Sequence, residues 1–307
     1  MKKVDRIGQK IIAGFEEKQI TPIVRDLILK HKILGFTLFS RNIESKEQVI
    51  ELNTELKALA RQAAYDLVLA VDQEGGRVAR LPEPFSQIAP MRAFGDRYKE
   101  TQSTKEVYEL GRTLGREVKE AGFNLNFAPV VDVDVNPDNP IIGDRSFASD
   151  SQLVTVLARE LIKGMEEEGV QSCLKHFPGH GATTKDSHLE LPEDGRTMQE
   201  LKHTDIKPYH TLIDENCGSS IMTAHVLYPK IDPNYPATLS KTIISDLLRK
   251  EMGYQGIIYS DDFLMKAIRD HYDLADAAKR FFEIGGDVIL ICNEPEVTLE
   301  VIQKYRN

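Results

Sequence analysis

Short apolar runs rich in β-branched residues recur along the chain, each followed by a polar loop and then by a helical pattern of apolar residues. The eight runs are Lys10–Phe15, Ile33–Phe39, Leu67–Val71, Leu125–Ala128, Ser172–Leu174, Ser220–Ala224, Gly256–Tyr259 and Val288–Ile291. Continuous apolar strands that alternate with helices are typical of parallel strands buried on both faces. We therefore predict an α/β fold built from eight strand–helix units.

The apolar residues between these runs recur at the spacing of amphipathic helices that pack on a sheet. Ser103–Glu106 has the spacing of a capping box, and Gly122 is placed to end the helix that follows it. Another helix is predicted from Ser240 to Gly253. Eight such units favour a single TIM-like (β/α)8 barrel over an open doubly wound sheet, because no G-x-G-x-x-G turn follows an early strand. We expect one catalytic domain over residues 1–307.

Polar residues follow five of the eight runs, and barrel enzymes build their sites at the carboxyl ends of their strands. In chain order these residues are Asp72–Arg77 with Arg80, Asp132 and Asp134 with the loop Asn136–Arg145, Lys175–His176, His225, and Ser260–Asp262. Charged side chains next to buried strands are costly unless they are paired or used. Their recurrence predicts a functional site at this end of the barrel.

The segment Lys175–His188 holds three histidines, which raises the question of a metal site. Pro178 and its neighbouring glycines disfavour a helix that would place His176 and His180 on one face, and the segment itself contains no cysteine to supply a thiolate ligand. We predict no metal and no cofactor. Asp186 and His188 are two residues apart, so in an extended loop their side chains point the same way and form a carboxylate–imidazole acid/base pair.

Asp261 stands where the seventh strand meets its loop, and its carboxylate is a candidate nucleophile or stabiliser of a cationic transition state. Asp262 competes with it, because alternation along a strand lets only one of the two face the barrel axis. The spacing also leaves open a metal-ligand role for both carboxylates.

The composition excludes some classes of protein and indicates a compartment. The 307 residues carry 39 Lys and Arg against 48 Asp and Glu, and the net charge of −9 argues against a general nucleic-acid binder. No apolar run approaches the length of a membrane span, and the polar N-terminus leaves no room for a signal peptide. Three cysteines favour a reducing compartment, so we expect a cytoplasmic protein. The chain has no Trp, so a sugar site would depend on hydrogen bonds or on Tyr and Phe.

Four motifs, in the same order as in a known family, carry a resemblance that covers roughly residues 5–295. They are DQEGGRVARL at Asp72–Leu81, NPDNPIIGDRSF at Asn136–Phe147, KHFPGHG followed by DSH at Lys175–His188, and GIIYSDD at Gly256–Asp262. The chain resembles glycoside hydrolase family 3, in its NagZ-type β-N-acetylhexosaminidase branch.

This resemblance implies a retaining exo-acting β-N-acetylglucosaminidase (EC 3.2.1.52 type) that acts on muropeptides from peptidoglycan recycling or on related glycosides. It assigns the nucleophile to Asp261, the acid/base to His188 and its partner to Asp186. The positions that match sugar-holding residues are Asp72, Arg80, Arg145, Lys175 and His176. We expect no second αβα domain of the kind that longer relatives carry, and we expect a monomer with a small carbohydrate substrate and no nucleic-acid or membrane partner.

Three alternatives remain open at the level of sequence. A phosphorylase on the same scaffold would use phosphate in place of water, and a β-glucosidase-like enzyme is disfavoured because that branch takes its acid/base from elsewhere. A sugar-binding or metal-binding protein without activity would require decay of the catalytic trio, which is intact. One departure from the family pattern is Leu264, which replaces a small or polar residue and is expected to alter the width of the pocket.

Overall fold

A computed structural model describes residues 7–306, in which eight parallel strands close into a barrel in sequence order. The strands are β1 (Ile11–Ala13), β2 (Gly35–Leu38), β3 (Val68–Val71), β4 (Leu125–Asn126), β5 (Gln171–Phe177), β6 (Ser220–Thr223), β7 (Ile257–Asp262) and β8 (Val288–Ile291). The pairing of Ile12 with Leu290 joins the first strand to the last and closes the sheet. The predicted (β/α)8 barrel is confirmed.

Helices surround the barrel and connect its strands. They are α1 (Pro22–Leu29), α2 (Lys46–Gln62), α3 (Met91–Thr101), α4 (Lys105–Glu120), α5 (Ser151–Glu167), α6 (Met198–His203), α7 (Ile206–Asp214), α8 (Lys266–Arg269), α9 (Leu274–Glu283) and α10 (Pro295–Arg306). The helix predicted from Ser240 is a π-helical segment, Thr242–Glu251, which buries its apolar face as expected. No helix within residues 7–306 is long and apolar enough to cross a membrane.

The capping box predicted at Ser103–Glu106 is wrong. Helix α4 begins at Lys105, and its N-cap Thr104 makes no side-chain hydrogen bond to the helix. The reason is that Arg97 donates to the carboxylate of Glu106 over 2.8 Å, so this carboxylate does not turn back to the start of its own helix. The predicted stop is confirmed, because Gly122 follows the last turn with a φ of 93°.

Two apolar layers form the core. Residues from most of the strands, among them Ile12, Leu125, Cys173 and Tyr259, form one buried cluster. A larger cluster packs the outer strand faces against the helices. The three cysteines are free thiols, so the prediction that they form no disulfide framework is confirmed.

Two strands extend further toward the site than the apolar pattern predicts. Strand β5 continues through Lys175 and His176 to Phe177, and β7 includes both Asp261 and Asp262. These polar side chains are therefore fixed on the barrel itself and do not lie in the loops that follow it.

Candidate active site

A pocket of about 270 Å³ opens at the carboxyl ends of the strands, and seven of the eight predicted site residues line it. They are Asp72, Arg80, Arg145, Lys175, His176, His188 and Asp261. The eighth, Asp186, contacts the imidazole of His188. Residues from five different strands and loops, far apart in sequence, are thus brought together as the strand-end pattern predicts.

The two neighbouring carboxylates of β7 have different surroundings. Oδ1 of Asp262 accepts hydrogen bonds from the backbone N–H groups of both Leu264 and Cys292, each over 3.0 Å, so two protein donors hold this carboxylate in place. Asp261 accepts one described hydrogen bond, from the N–H of Asp262 over 2.8 Å. This difference favours Asp261 as the reacting carboxylate.

The pKa values of the two groups diverge in the same sense. Burial alone would raise the pKa of Asp261, but the charges of His176, His225 and His188 lower it to about 2. Burial raises the pKa of Asp262 to about 6, and the neighbouring charge of Asp261 adds to this shift. Asp261 is therefore ionised throughout the neutral range, as a nucleophile requires.

Asp186 and His188 form the predicted carboxylate–imidazole pair. The Oδ1 atom of Asp186 lies 2.7 Å from Nδ1 of His188 and also accepts the backbone N–H of His188 over 2.8 Å. The carboxylate fixes the proton on Nδ1 and leaves Nε2 available for proton transfer. The side chain of His188 is 64% exposed, so it lies at the mouth of the pocket.

A buried network of ion pairs forms one wall of the pocket. The ammonium of Lys175 lies 2.7 Å from carboxylate oxygens of both Asp72 and Glu74. Arg145 donates to the two oxygens of Glu74 over 2.9 and 2.8 Å. The second oxygen of Asp72 has no hydrogen bond among those described for the chain, so it is an acceptor for a ligand hydroxyl.

A second His–Asp pair lies deeper in the barrel. His176 places Nδ1 2.7 Å from Oδ2 of Asp132, and the other oxygen of Asp132 accepts the backbone N–H of His180 over 2.7 Å. Burial would raise the pKa of Asp132, but His176 and the hydrogen bonds hold it below its usual value. Asp132 therefore orients His176 so that its remaining nitrogen is free to face the pocket.

Arginine and aromatic side chains lie together on another side of the pocket. The guanidinium carbons of Arg41 and Arg80 lie 4.5 and 5.4 Å from the ring centroid of Phe39. Nε of Arg80 is buried and has no hydrogen-bond partner within residues 7–306. A donor in this state is suited to a polar ligand group.

The histidines of the Lys175–His188 segment do not gather around a common point that would suit a metal. Both ring nitrogens of His180 are occupied, by Thr183 over 2.8 Å and by Ser187 over 3.1 Å. The described part of the chain contains no group of three or more His, Cys, Asp or Glu side chains placed to hold a metal ion.

Sequence reasoning did not assign some residues that line or support the pocket. Glu74 and Asp132 stand in stretches already singled out, and Glu74 shares with Asp72 the two-residue spacing of a strand face. Arg41 and Asn293 also line the pocket, and nothing in the local sequence pattern marks them. Leu264 packs in the outer core and does not line the pocket, so its expected effect on pocket width is wrong.

The fold and this site define a class of enzyme: a (β/α)8 barrel in which an ionised carboxylate on a strand shares a pocket with a carboxylate–imidazole pair, an arrangement suited to the chemistry of retaining glycoside hydrolases. The sequence profile of the glycosyl hydrolase family 3 N-terminal domain matches residues 3–306. The chain belongs to this family.

Named relatives and solved structures agree with this assignment. A β-hexosaminidase of Neisseria meningitidis serogroup C is 37% identical over 299 residues, which are 96% of this chain and 81% of that protein. NagZ of Neisseria gonorrhoeae, solved with N-trifluoroacetyl-D-glucosamine, is 35% identical with a TM-score of 0.88, and the match covers 96% of this chain and 84% of that one.

A family 3 β-N-acetylglucosaminidase of Paenibacillus sp. str. FPU-7 is 34% identical with a TM-score of 0.93. The match covers 99% of this chain and 57% of that structure, so the chain spans just over half the length of the Paenibacillus enzyme.

Proposed function

We propose that this glycoside hydrolase is a retaining exo-β-N-acetylglucosaminidase that removes terminal β-linked N-acetylglucosamine from muropeptides or related glycosides. The observation that carries this proposal is the pairing, in one pocket, of ionised Asp261 with the His188–Asp186 pair. Named relatives are β-hexosaminidases, and one neighbour is solved with an N-acylated glucosamine. The pocket, of about 270 Å³, suits one terminal sugar.

In the first step Asp261 attacks the anomeric carbon, and the bond to the leaving oxygen breaks as His188 donates its Nε2 proton to that oxygen. The products are a covalent glycosyl-enzyme and the free alcohol. Retaining enzymes ordinarily use a second carboxylic acid for this proton transfer. An imidazole takes that role here, because a histidine side chain can both donate and accept a proton near neutral pH.

In the second step neutral His188 takes a proton from water, and the resulting hydroxide attacks the anomeric carbon. The ester bond to Asp261 breaks, the carboxylate is regenerated and the sugar leaves with its original configuration. Asp186 stabilises the imidazolium in each half of the cycle, because its carboxylate remains hydrogen-bonded to Nδ1.

Five side chains hold the sugar in this proposal: Asp72, Arg80, Arg145, Lys175 and His176. Charge-assisted hydrogen bonds to hydroxyls and to the acetamido group take the place of a tryptophan platform, since the chain contains no Trp. Arg80 and Asp72 have the clearest capacity, since each keeps a polar atom that no described protein group occupies.

The direct test is hydrolysis of an aryl β-N-acetylglucosaminide by the wild type and by Asp261→Asn. We expect the variant to lose turnover by at least about 10³-fold while it still binds N-acetylglucosamine, because only the nucleophile is removed. Asp270→Asn, at an exposed position, is the matched control and should retain full activity. Full activity in Asp261→Asn would refute the proposal, and preference for an aryl β-glucoside would redirect it to another substrate.

A second candidate is a β-N-acetylglucosaminide phosphorylase. A neutral or cationic imidazole at the acid/base position repels phosphate less than a carboxylate would, and unpartnered Nε of Arg80 adds a donor. Product analysis on a GlcNAc–anhydro-MurNAc fragment, with and without phosphate, separates the two activities. GlcNAc 1-phosphate as the main product would favour the phosphorylase.

We also propose that the enzyme works as a monomer in the cytoplasm, with residues 1–307 acting as one catalytic domain. A single chain carries both Asp261 and the His188–Asp186 pair, which supports a monomer as the working unit. Three free thiols suit a reducing compartment. Light scattering of the purified protein at catalytic concentrations tests the monomer.

A further inference from the structure

The loop that carries Asp186 and His188 is fixed at the residue between them, Ser187. This side chain is 2% exposed, and its Oγ lies 3.1 Å from Nε2 of His180. The carbonyl of Ser187 also accepts the backbone N–H of Ala267 over 3.4 Å. Ser187 is therefore tied on one side to the start of its own loop and on the other to the segment that follows the strand of Asp261.

The hydrogen-bond network defines which ring nitrogen of His180 carries the proton. Thr183 donates its hydroxyl proton to the carbonyl of His180 over 3.1 Å, so its oxygen accepts the proton on Nδ1 of His180 over 2.8 Å. Nε2 is then the acceptor, and Ser187 donates to it. Burial, together with the nearby His176, lowers the pKa of His180 to about 4, so the ring is neutral in the working range.

The position of His180 is itself set by the barrel. Its backbone N–H donates to buried Asp132 over 2.7 Å, and its carbonyl accepts the side-chain amide of Asn139 over 2.7 Å. The segment that follows β4 provides both partners. Through its contact with Ser187, His180 thus connects the loop of Asp186 and His188 to the barrel.

We propose that His180 is a positioning residue for catalysis, and that its hydrogen bond with Ser187 holds the Asp186–His188 pair in register with Asp261. This inference rests on the proposed role of His188 as acid/base. The imidazole of His188 is more than half exposed, so the loop, and not packing around the ring, determines where its Nε2 atom lies. The Ser187–His180 contact is the buried side-chain contact of that loop closest to His188.

Ser187→Ala tests the proposal with the smallest change, the loss of one hydroxyl. The readout is kcat/KM for aryl β-N-acetylglucosaminides with good and poor leaving groups, because kcat/KM reports formation of the glycosyl-enzyme. We expect a fall of between about twofold and tenfold for poor leaving groups, the size expected for one neutral hydrogen bond, and little change for good ones. A purely structural role would lower both values equally.

Two substitutions of His180 form a matched pair. In His180→Gln the amide reaches the place of Nε2 and keeps a partner for Ser187, whereas in His180→Asn it reaches only the place of Nδ1 and keeps the contact with Thr183. We expect His180→Asn to show the leaving-group dependence of Ser187→Ala, and His180→Gln to stay close to the wild type.

Limited proteolysis gives a second readout that is independent of activity. Lys185 lies in the same loop with its side chain 51% exposed, so trypsin cleavage after it reports how often the loop opens. Ser187→Ala and His180→Asn should be cleaved faster than the wild type at an unchanged Tm.

Two results would overturn the inference, and they differ from failure of the proposed function. Wild-type leaving-group dependence and wild-type cleavage rates in both Ser187→Ala and His180→Asn would show that the contact does not position the loop. If His188→Ala itself shows equal losses for all leaving groups, the acid/base assignment fails, and the positioning role fails with it.

Discussion

Glu74→Gln is the substitution that most directly tests the buried charge network of the pocket. The side chain of Glu74 is 2% exposed and accepts three charge-assisted hydrogen bonds, two from Arg145 and one from Lys175 over 2.7 Å. Glutamine keeps the shape of the side chain but removes its charge and turns one acceptor oxygen into a donor. Lys175 then keeps its ion pair with Asp72, whereas Arg145 loses its direct partner and retains only the more distant charges of Asp132 and Asp72.

The expected loss of stability follows from the burial of the pair. Removing one partner of a buried ion pair costs about 3–5 kcal/mol, because the remaining charge is left uncompensated in a medium of low polarity. With an unfolding entropy of about 2.1 cal/mol/K per residue, that loss lowers the Tm of a chain of this size by about 5–8 °C. Exposed pairs contribute far less, since water solvates each partner alone.

The effect also depends on pH in a defined direction. Burial would raise the pKa of Glu74, but Arg145 and Lys175 hold it well below its usual range in the folded protein. A carboxyl with a lowered folded pKa contributes stability that is present above its unfolded pKa of about 4.3 and is lost as the pH falls toward its folded value. The stability gap between wild type and Glu74→Gln should therefore narrow below about pH 4.

Denaturant and thermal unfolding of both proteins at pH 7 and pH 3, together with KM for an aryl N-acetylglucosaminide at pH 7, measure these effects. Glu44→Gln is the matched control, because Glu44 pairs with Lys18 over 3.0 Å but is 65% exposed. We expect a higher KM only in Glu74→Gln, because the loss of the Glu74 carboxylate leaves the side chains of Lys175 and Arg145 less firmly held. If both variants unfold within error of each other, the buried network does not stabilise the fold as argued.

Three further outcomes are expected. In His188→Ala, kcat/KM should fall most for poor leaving groups, measured over a series of aryl N-acetylglucosaminides; a uniform loss would argue against an acid role. The Tm of Asp262→Asn relative to that of the wild type should rise as the pH rises through about 6. The reason is that burial raises the folded pKa of Asp262 to about 6, so the wild type loses stability as this buried carboxyl becomes charged. Thermal unfolding of both proteins from pH 4 to 8 checks this, and a Tm difference that does not change with pH would contradict it. Activity should survive exhaustive chelation with EDTA, and a loss restored by added metal would revive the metal hypothesis.

The apolar runs predicted the barrel because buried parallel strands are continuous apolar segments. They did not predict where a strand ends when polar residues continue it. The predicted fifth run ends at Leu174, whereas β5 extends to Phe177. Lys175 is tolerated inside the strand because Asp72 and Glu74 neutralise it, and His176 because it pairs with Asp132. These partners lie far away in sequence, so a local pattern does not reveal that the strand continues.

The sequence predicted those contacts of the site that join residues close together in the chain. Asp186 and His188 are two residues apart, and their contact was predictable from alternation alone. The choice between Asp261 and Asp262 was not, because it depends on which carboxylate the N–H groups of Leu264 and Cys292 occupy. Cys292 lies at the end of β8, so only closure of the barrel makes this contact.

The distribution of charge explains why the Asp261 carboxylate keeps its negative charge in a pocket that also contains Lys175 and Arg145. These two cations are paired with Asp72 and Glu74, and none of the ion pairs found in residues 7–306 involves Asp261. Glycoside cleavage passes through an oxocarbenium-like transition state, whose positive charge an unneutralised carboxylate stabilises. In the proposed mechanism the buried network therefore places donors beside the sugar and keeps their charge from cancelling that of Asp261 at the anomeric carbon.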